Sequence, residues 1–119
     1  MGSFATFDRE SNQYVGTLMI KPLPDSENVD TEDIEIGWHL GRSAWGKGFA
    51  TEGGRKLLEI GFGKLKLDVI HAVVKKENIR SIKVTERLGM EHQGNTERYY
   101  GELVEHFTLT RDQWKKGMG

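Results

Sequence analysis

Residues 4–40 carry the pattern of strands. Phe4–Asp8 and Val15–Lys21 are short β-forming runs joined by the turn-like Glu10-Ser11-Asn12-Gln13, which predicts a hairpin. Asp33–Leu40 alternates strictly: Ile34, Ile36, Trp38 and Leu40 fall on one face, and Glu35, Gly37 and His39 on the other. Between these runs, Pro22–Glu32 is acidic and polar and is framed by Pro22 and Pro24, which predicts a solvated loop.

After a glycine-rich stretch, Gly41 to Gly48, the period changes. Leu57, Leu58 and Phe62 form the apolar stripe of a helix from about Ala50 to Phe62. Gly53, Gly54 and Gly61 each lower its intrinsic stability by roughly 1 kcal/mol relative to Ala, so packing must hold it. Val69–Val74 is an apolar run broken only by His71, as in a buried strand. Asn78 is placed to cap a second helix, Ile79–Leu88, whose apolar contacts come from Ile82, Val84 and Leu88 and which Gly89 ends. Met90–Tyr100 and Leu103–Thr110 read as two strands about Gly101. Thr110 and Gln113 have capping-box spacing at the start of a last helix carrying Trp114. The order β-β-β-α-β-α-β-β-α predicts an α/β domain of the layered α+β kind, with a mixed, mostly antiparallel sheet flanked by helices.

Length and charge narrow the function. With 119 residues, the whole chain, 1–119, is expected to be a single domain. Lys and Arg number 17 against 18 Asp and Glu, so the net charge of −1 argues against a nucleic-acid footprint. There is no apolar run long enough for a membrane span and no apolar leader, so a cytoplasmic protein is expected. The absence of cysteine excludes disulfides, thiolate metal sites and a cysteine nucleophile.

The segment EIGWHL-GRSAWGKGF-ATEGGRKLLE is a strand, a glycine loop and a helix. Free N–H groups and the dipole at a helix start attract anions, and glycines let a phosphate approach the backbone. A phosphate site at Gly46–Thr51 competes here with a plain tight turn. Gly41-x-x-x-x-Gly46-Lys47 begins like a P-loop, but Gly48 stands where that motif needs a magnesium-binding Ser or Thr. The dinucleotide fingerprint fails as well, because Gly46-x-Gly48 is followed by Thr51 rather than Gly or Ala.

Four pieces in order, Glu35-Ile36-Gly37-Trp38-His39-Leu40, Trp45-Gly46-Lys47-Gly48-Phe49-Ala50-Thr51-Glu52, Asn78-x-x-Ser81 and Leu88-Gly89-Met90, resemble the GNAT superfamily of acetyl-CoA-dependent N-acetyltransferases. The resemblance runs from about residue 4 to 114 and is greatest to the branch that acetylates the N-termini of ribosomal proteins and its small-molecule relatives. It implies the acyl-CoA N-acyltransferase fold, with acetyl-CoA as co-substrate and no metal. The backbone of Gly46, Lys47, Gly48, Phe49, Ala50 and Thr51 would hold the pyrophosphate, and backbone groups of Trp38, His39 and Leu40 would pair with the pantetheine. Asn78 completes the cofactor set. In the family pattern Gln/Arg-x-x-Gly-x-Gly/Ala, the matching positions are Trp45, Gly48 and Ala50, so Trp45 departs from the usual residue. Family members also usually carry a further N-terminal strand and helices covering part of the acceptor site, so this chain reads as N-terminally short.

Acetyl transfer to an amine needs a base for the ammonium, a donor for the developing oxyanion and an acid for the departing thiolate. Without cysteine, direct attack in a ternary complex is the expectation. A backbone N–H near His39–Leu40 is the family-like oxyanion donor. Glu35 is the candidate base, against the plain alternative of a solvated strand carboxylate. His39 shares its face, and Glu102 and Glu105 are lesser candidates. At the family's tyrosine acid position stands Thr85, and Ser81, the substitute in this branch, is the candidate acid, against a simple capping role. The acceptor is expected to be a primary amine, on a protein N-terminus or a small molecule. A homodimer is expected to cover the face bearing Glu35, Gly37 and His39 and the edge at Phe4–Asp8. The rival to an enzyme is a truncated CoA-binding module with a binding or regulatory role.

Overall fold

The computed structural model describes residues 2–118. The predicted first hairpin forms: β1 (Gly2–Phe7) pairs antiparallel with β2 (Tyr14–Pro24), with Phe4 opposite Leu18. β2 pairs antiparallel with β3 (Asp30–Leu40). The predicted loop at Pro22–Glu32 is therefore largely strand, and only residues 25–29 turn. Asp25 builds that turn, its Oδ1 accepting from the N–H groups of Glu27 (2.8 Å) and Val29 (3.0 Å). The prolines are tolerated because β1 pairing ends at Gly2–Ile20 among the described residues, and the β2–β3 register shifts between Pro22 and Pro24. A missing N–H costs little at an outer edge or a bulge.

The chain then makes a 3-10 turn at Arg42–Ala44 and enters α1 (Phe49–Leu58), which continues as a π-helical stretch over Glu59–Lys64. The wider turn lets Gly61 face Ile70 so closely that an added Cβ would lie 2.4 Å from its Cδ1. β4 (Val69–Val74) follows, then α2 (Ile79–Arg87), capped as predicted by Asn78 Oδ1, which accepts from Ser81 N–H at 3.2 Å. β5 spans only Glu91–Thr96, not Met90–Tyr100; the chain leaves the sheet there and returns in β6 (Val104–Thr110). The predicted capping box opens α3 (Arg111–Met118): Gln113 N–H donates to Thr110 Oγ1, and Thr110 N–H to Gln113 Oε1.

The sheet has six strands in the order β1-β2-β3-β4-β6-β5, with β3–β4 its parallel pair. One face packs under the helices. Leu18, Ile20, Ile34, Ile36, Ile70, Ala72, Val74, Phe107 and Leu109 meet Leu57, Leu58 and Phe62 of the first helical segment and Val84 and Leu88 at α2. Trp114 of α3 closes this layer against Phe62, with ring centroids 5.4 Å apart. Residues of the opposite parity, among them Lys21, Asp33, Glu35, His71 and His106, share the other face. No helix among the described residues is long and apolar enough to cross a membrane.

Candidate active site

The glycine loop is shaped by two left-handed residues, Gly46 (φ 75°) and Gly48 (φ 80°), conformations that residues with a Cβ rarely adopt. An added Cβ at either would enter open space rather than protein. Gly48 is the N-cap of α1 and brings no side chain to it. The N–H groups of Phe49, Ala50 and Thr51 therefore lack intrahelical acceptors, and the helix dipole concentrates positive potential there. Thr51 Oγ1 in the same turn is shut off from solvent and has no hydrogen-bond partner. A helix start with free donors, an unpartnered hydroxyl and glycines that leave room fits a phosphate group.

These residues line a cavity of about 390 Å³ that α2 closes from the opposite side. Of the predicted cofactor residues, Trp38, His39, Leu40, Gly46, Gly48, Phe49, Ala50, Thr51 and Asn78 line it, as does the candidate acid Ser81. Lys47 does not. It lines a separate hollow between the β1–β2 turn and α1, because the left-handed glycines on either side turn it outward. α2 adds Arg80, Lys83 and Arg87 to the cavity wall. Arg80 lies over the Trp45 ring, its Cζ 4.0 Å from the centroid, and Arg42 approaches the same ring at 5.5 Å. The sequence reading missed these cations, although their i, i+3, i+7 spacing puts them on one face of α2.

The end of β3 forms one wall of the cavity. Among the described residues β3 and β4 pair only at Glu35–His71, so Gly37–Leu40 is paired with β2 alone and leaves its other backbone edge free. An extended ligand segment can lie along such an edge as a strand does. The Leu40 carbonyl is already occupied, accepting from Trp45 Nε1 at 3.3 Å. Ser81 is held from two sides: its N–H binds the Asn78 side chain, and its Oγ accepts from Trp38 Nε1 at 3.1 Å. Thr85 is fully buried and donates to Ile82 O, so it faces the core.

Glu35 lies across the sheet from Ser81, on the face without helices, and is 5 % exposed rather than solvated. Its Oε2 accepts a hydrogen bond from Tyr100 and lies 3.7 Å from Lys21 Nζ. Burial raises its pKa, while the Tyr100 hydrogen bond and the Lys21 charge work in the opposite direction. His39 is exposed on this face. Glu102 is exposed and paired with Lys75, and Glu105 is paired with His92 at 3.0 Å.

A polar cluster that the sequence did not announce flanks Glu35. His71 and His106 are both buried; their rings are parallel, and His71 Nδ1 is 2.9 Å from His106 Nε2. The Tyr99 ring packs against both, and its hydroxyl donates to Asp33 Oδ2 at 2.9 Å. Burial lowers both histidine pKa values, that of His106 to about 4. Among the described residues there is no group of three or more His, Asp or Glu arranged to hold a metal ion.

The acetyltransferase (GNAT) domain family matches residues 1–91, and the chain belongs to that family. An uncharacterized N-acetyltransferase p20 of Bacillus licheniformis is 37% identical over 110 residues, which is 90% of this chain and 60% of that protein. The chain thus spans less than two-thirds of that relative's length. Among solved structures, a GNAT-family acetyltransferase from Bacillus anthracis superposes with a TM-score of 0.76 at 23% identity, over 92% of this chain and 66% of the other. Aminoglycoside acetyltransferase AAC(6')-Ib, solved with coenzyme A and kanamycin, gives a TM-score of 0.80 at 19% identity, over 98% of this chain and 70% of the other. These likenesses define the fold as that of the acyl-CoA N-acyltransferases, a mostly antiparallel sheet with its helices.

Proposed function

We propose that the chain transfers the acetyl group of acetyl-CoA to a primary amine by direct attack in a ternary complex. The observation that carries this reading is the cavity at the α1 N-terminus, with its free N–H donors and unpartnered Thr51 hydroxyl, opening beside the divergent edge of β3. Family membership and the coenzyme A-bound fold relative support it.

Bound acetyl-CoA supplies the activated acetyl thioester; the chain's part is to hold it and to move protons. The N–H groups of Phe49, Ala50 and Thr51 take the pyrophosphate, with Arg80 and Lys83 adding positive charge, and the free edge of Gly37–Leu40 aligns the pantetheine. Ser81 Oγ already accepts from Trp38, so its own proton is free to go to the departing thiolate. Glu35 takes the amine proton on Oε1, directly or through water in the gap between β3 and β4. A chain without cysteine has no thiol to carry the acetyl group between cofactor and acceptor. The acceptor class includes protein N-termini, as in the ribosomal-protein branch, and small-molecule amines.

The test is release of free thiol from acetyl-CoA with a panel of amines: kanamycin, spermidine and a peptide with a free N-terminal serine. Glu35→Gln keeps the shape of the side chain and removes its basicity, and should lower the rate roughly 10²–10⁴-fold while acetyl-CoA affinity is retained. Binding of acetyl-CoA without thiol release for any amine would establish the binding-module reading instead.

A further inference from the structure

Two adjacent tyrosines reach the open sheet face from one turn. Residues 97–103 leave β5 and cross to the far end of β2, where Tyr100 N–H donates to Pro24 O at 3.2 Å and Tyr99 forms a bridge with Asp25. Gly101 has φ 67°, and an added Cβ there would lie 2.9 Å from Ser26 O, so the turn is seated directly on the β2–β3 hairpin. Tyr100 itself has a left-handed backbone, φ 62°, an unfavourable conformation for an aromatic residue that the surrounding contacts must hold. That backbone delivers the phenol to Glu35 and places the ring 5.2 Å from Lys21 Nζ.

Both partners of Glu35 use the same oxygen. Oε2 accepts from Tyr100 and faces Lys21, whereas Oε1 has no hydrogen bond among the described residues and is not sealed from solvent. A carboxylate turns easily about its last bond, so two holds on one oxygen decide which oxygen is presented.

We propose that Tyr100 is a positioning residue for acetyl transfer: it pins Oε2 of Glu35 so that Oε1 meets the acceptor amine, and it makes the 97–103 turn part of the acceptor site. This rests on the reading of Glu35 as the base. The titratable and charged groups around Glu35 on this face are Lys21 from β2, Asp33 and His39 from its own strand, His71 from β4, His106 from β6, and Arg98, Tyr99 and Tyr100 from the turn; Asp30 lies near Tyr100. Of these, Tyr100 and Lys21 favour the charged carboxylate against the effect of burial. Removing the Tyr100 hydroxyl therefore lets Glu35 keep its proton to higher pH.

The experiment compares wild type, Tyr100→Phe and Glu35→Gln by thiol release against pH, using whichever amine of the panel is fastest, and by carboxyl-carbon NMR titration of Glu35 in the free protein. For Tyr100→Phe, the acid limb of the rate and the NMR midpoint of Glu35 should both move to higher pH. The rate below the wild-type limb should fall on the order of tenfold, and the loss should fade at alkaline pH. Lys21→Met, at the half-exposed second partner, should move both readouts in the same direction. A uniform loss at every pH, with limb and midpoint unmoved, would show a merely structural tyrosine and overturn the proposal, even with Glu35→Gln inactive. A Glu35→Gln protein with wild-type rates would refute the base itself, and the proposal with it.

Discussion

Acidification should unfold this protein through one pair of side chains. His71 and His106 are 8 % and 6 % exposed, and the contact between them joins one ring nitrogen of each. That contact needs one donor and one acceptor, so a proton added to both rings sets N–H against N–H. Tyr99 covers both rings, and the Asp33 carboxylate is 3.7 Å from His71 Nε2, too far to hydrogen-bond it. The folded pair is therefore neutral, with the pKa of His106 lowered from 6.5 to about 4. A depressed histidine pKa means that the unfolded chain binds more protons between those two values, so stability falls as pH drops through that window. At about 1.4 kcal/mol per pH unit, His106 alone accounts for a loss of about 3 kcal/mol, most of it between pH 6.5 and 4.5. This is a large part of the stability of a small domain. Urea denaturation from pH 7.5 to 4.5 measures it, and His106→Gln, which keeps an amide near the Nε2 position without a titrating ring, isolates it. Wild type should lose about 2 kcal/mol or more beyond what His106→Gln loses over that range. Identical pH dependence in the two proteins would refute the argument.

Other perturbations separate fold from site. Thr51→Val removes a buried hydroxyl that has no partner in the free protein; thermal unfolding should show a gain of about 1 kcal/mol, while titration calorimetry shows weaker acetyl-CoA binding. Gly16→Ala would put a Cβ 2.3 Å from His39 O and 2.8 Å from Leu40 Cα, backbone atoms that cannot move aside cheaply. Thermal unfolding should show a loss of about 1–3 kcal/mol, and cofactor affinity should fall because the displaced strand is the one that lines the cavity.

Much of this was legible in the sequence because local chemistry and tertiary position agreed. The alternation of Ile34–Leu40 gave both faces of β3, Asn78 and the Thr110–Gln113 pair gave two helix starts, and the glycine loop gave the helix-start pocket. The failures lie where tertiary pairing overrode composition. The acidic stretch before Asp33 reads as loop, yet it is drawn into the ladder because Asp25 closes a tight turn. The run through Tyr100 reads as strand, yet left-handed Tyr100 and Gly101 turn it back over the sheet, which hid both tyrosines from the candidate site. His71 and His106 do lie in strands, as their setting predicts, but the diagonal contact between them across β4 and β6 depends on a register that no local pattern states.

The single parallel contact at Glu35–His71 also has a mechanical meaning. Across that line the sheet is two antiparallel three-stranded leaves, β1-β2-β3 and β4-β6-β5, joined by one ladder position among the described residues, by the helices beneath and, at the far end, by the 97–103 turn seated on the β2–β3 hairpin. α1 lies against the first leaf and α2 against the second, so on the cavity side the stiffness of the seam depends in part on how these helices pack on each other. The amide protons of Gly37–Leu40 that face the seam have no strand to shield them and should exchange with solvent early. A ligand lying along that edge, with its phosphates at the start of α1 and its flank against α2, would fasten the leaves together. Binding would then be felt as rigidity by strands that never touch the ligand.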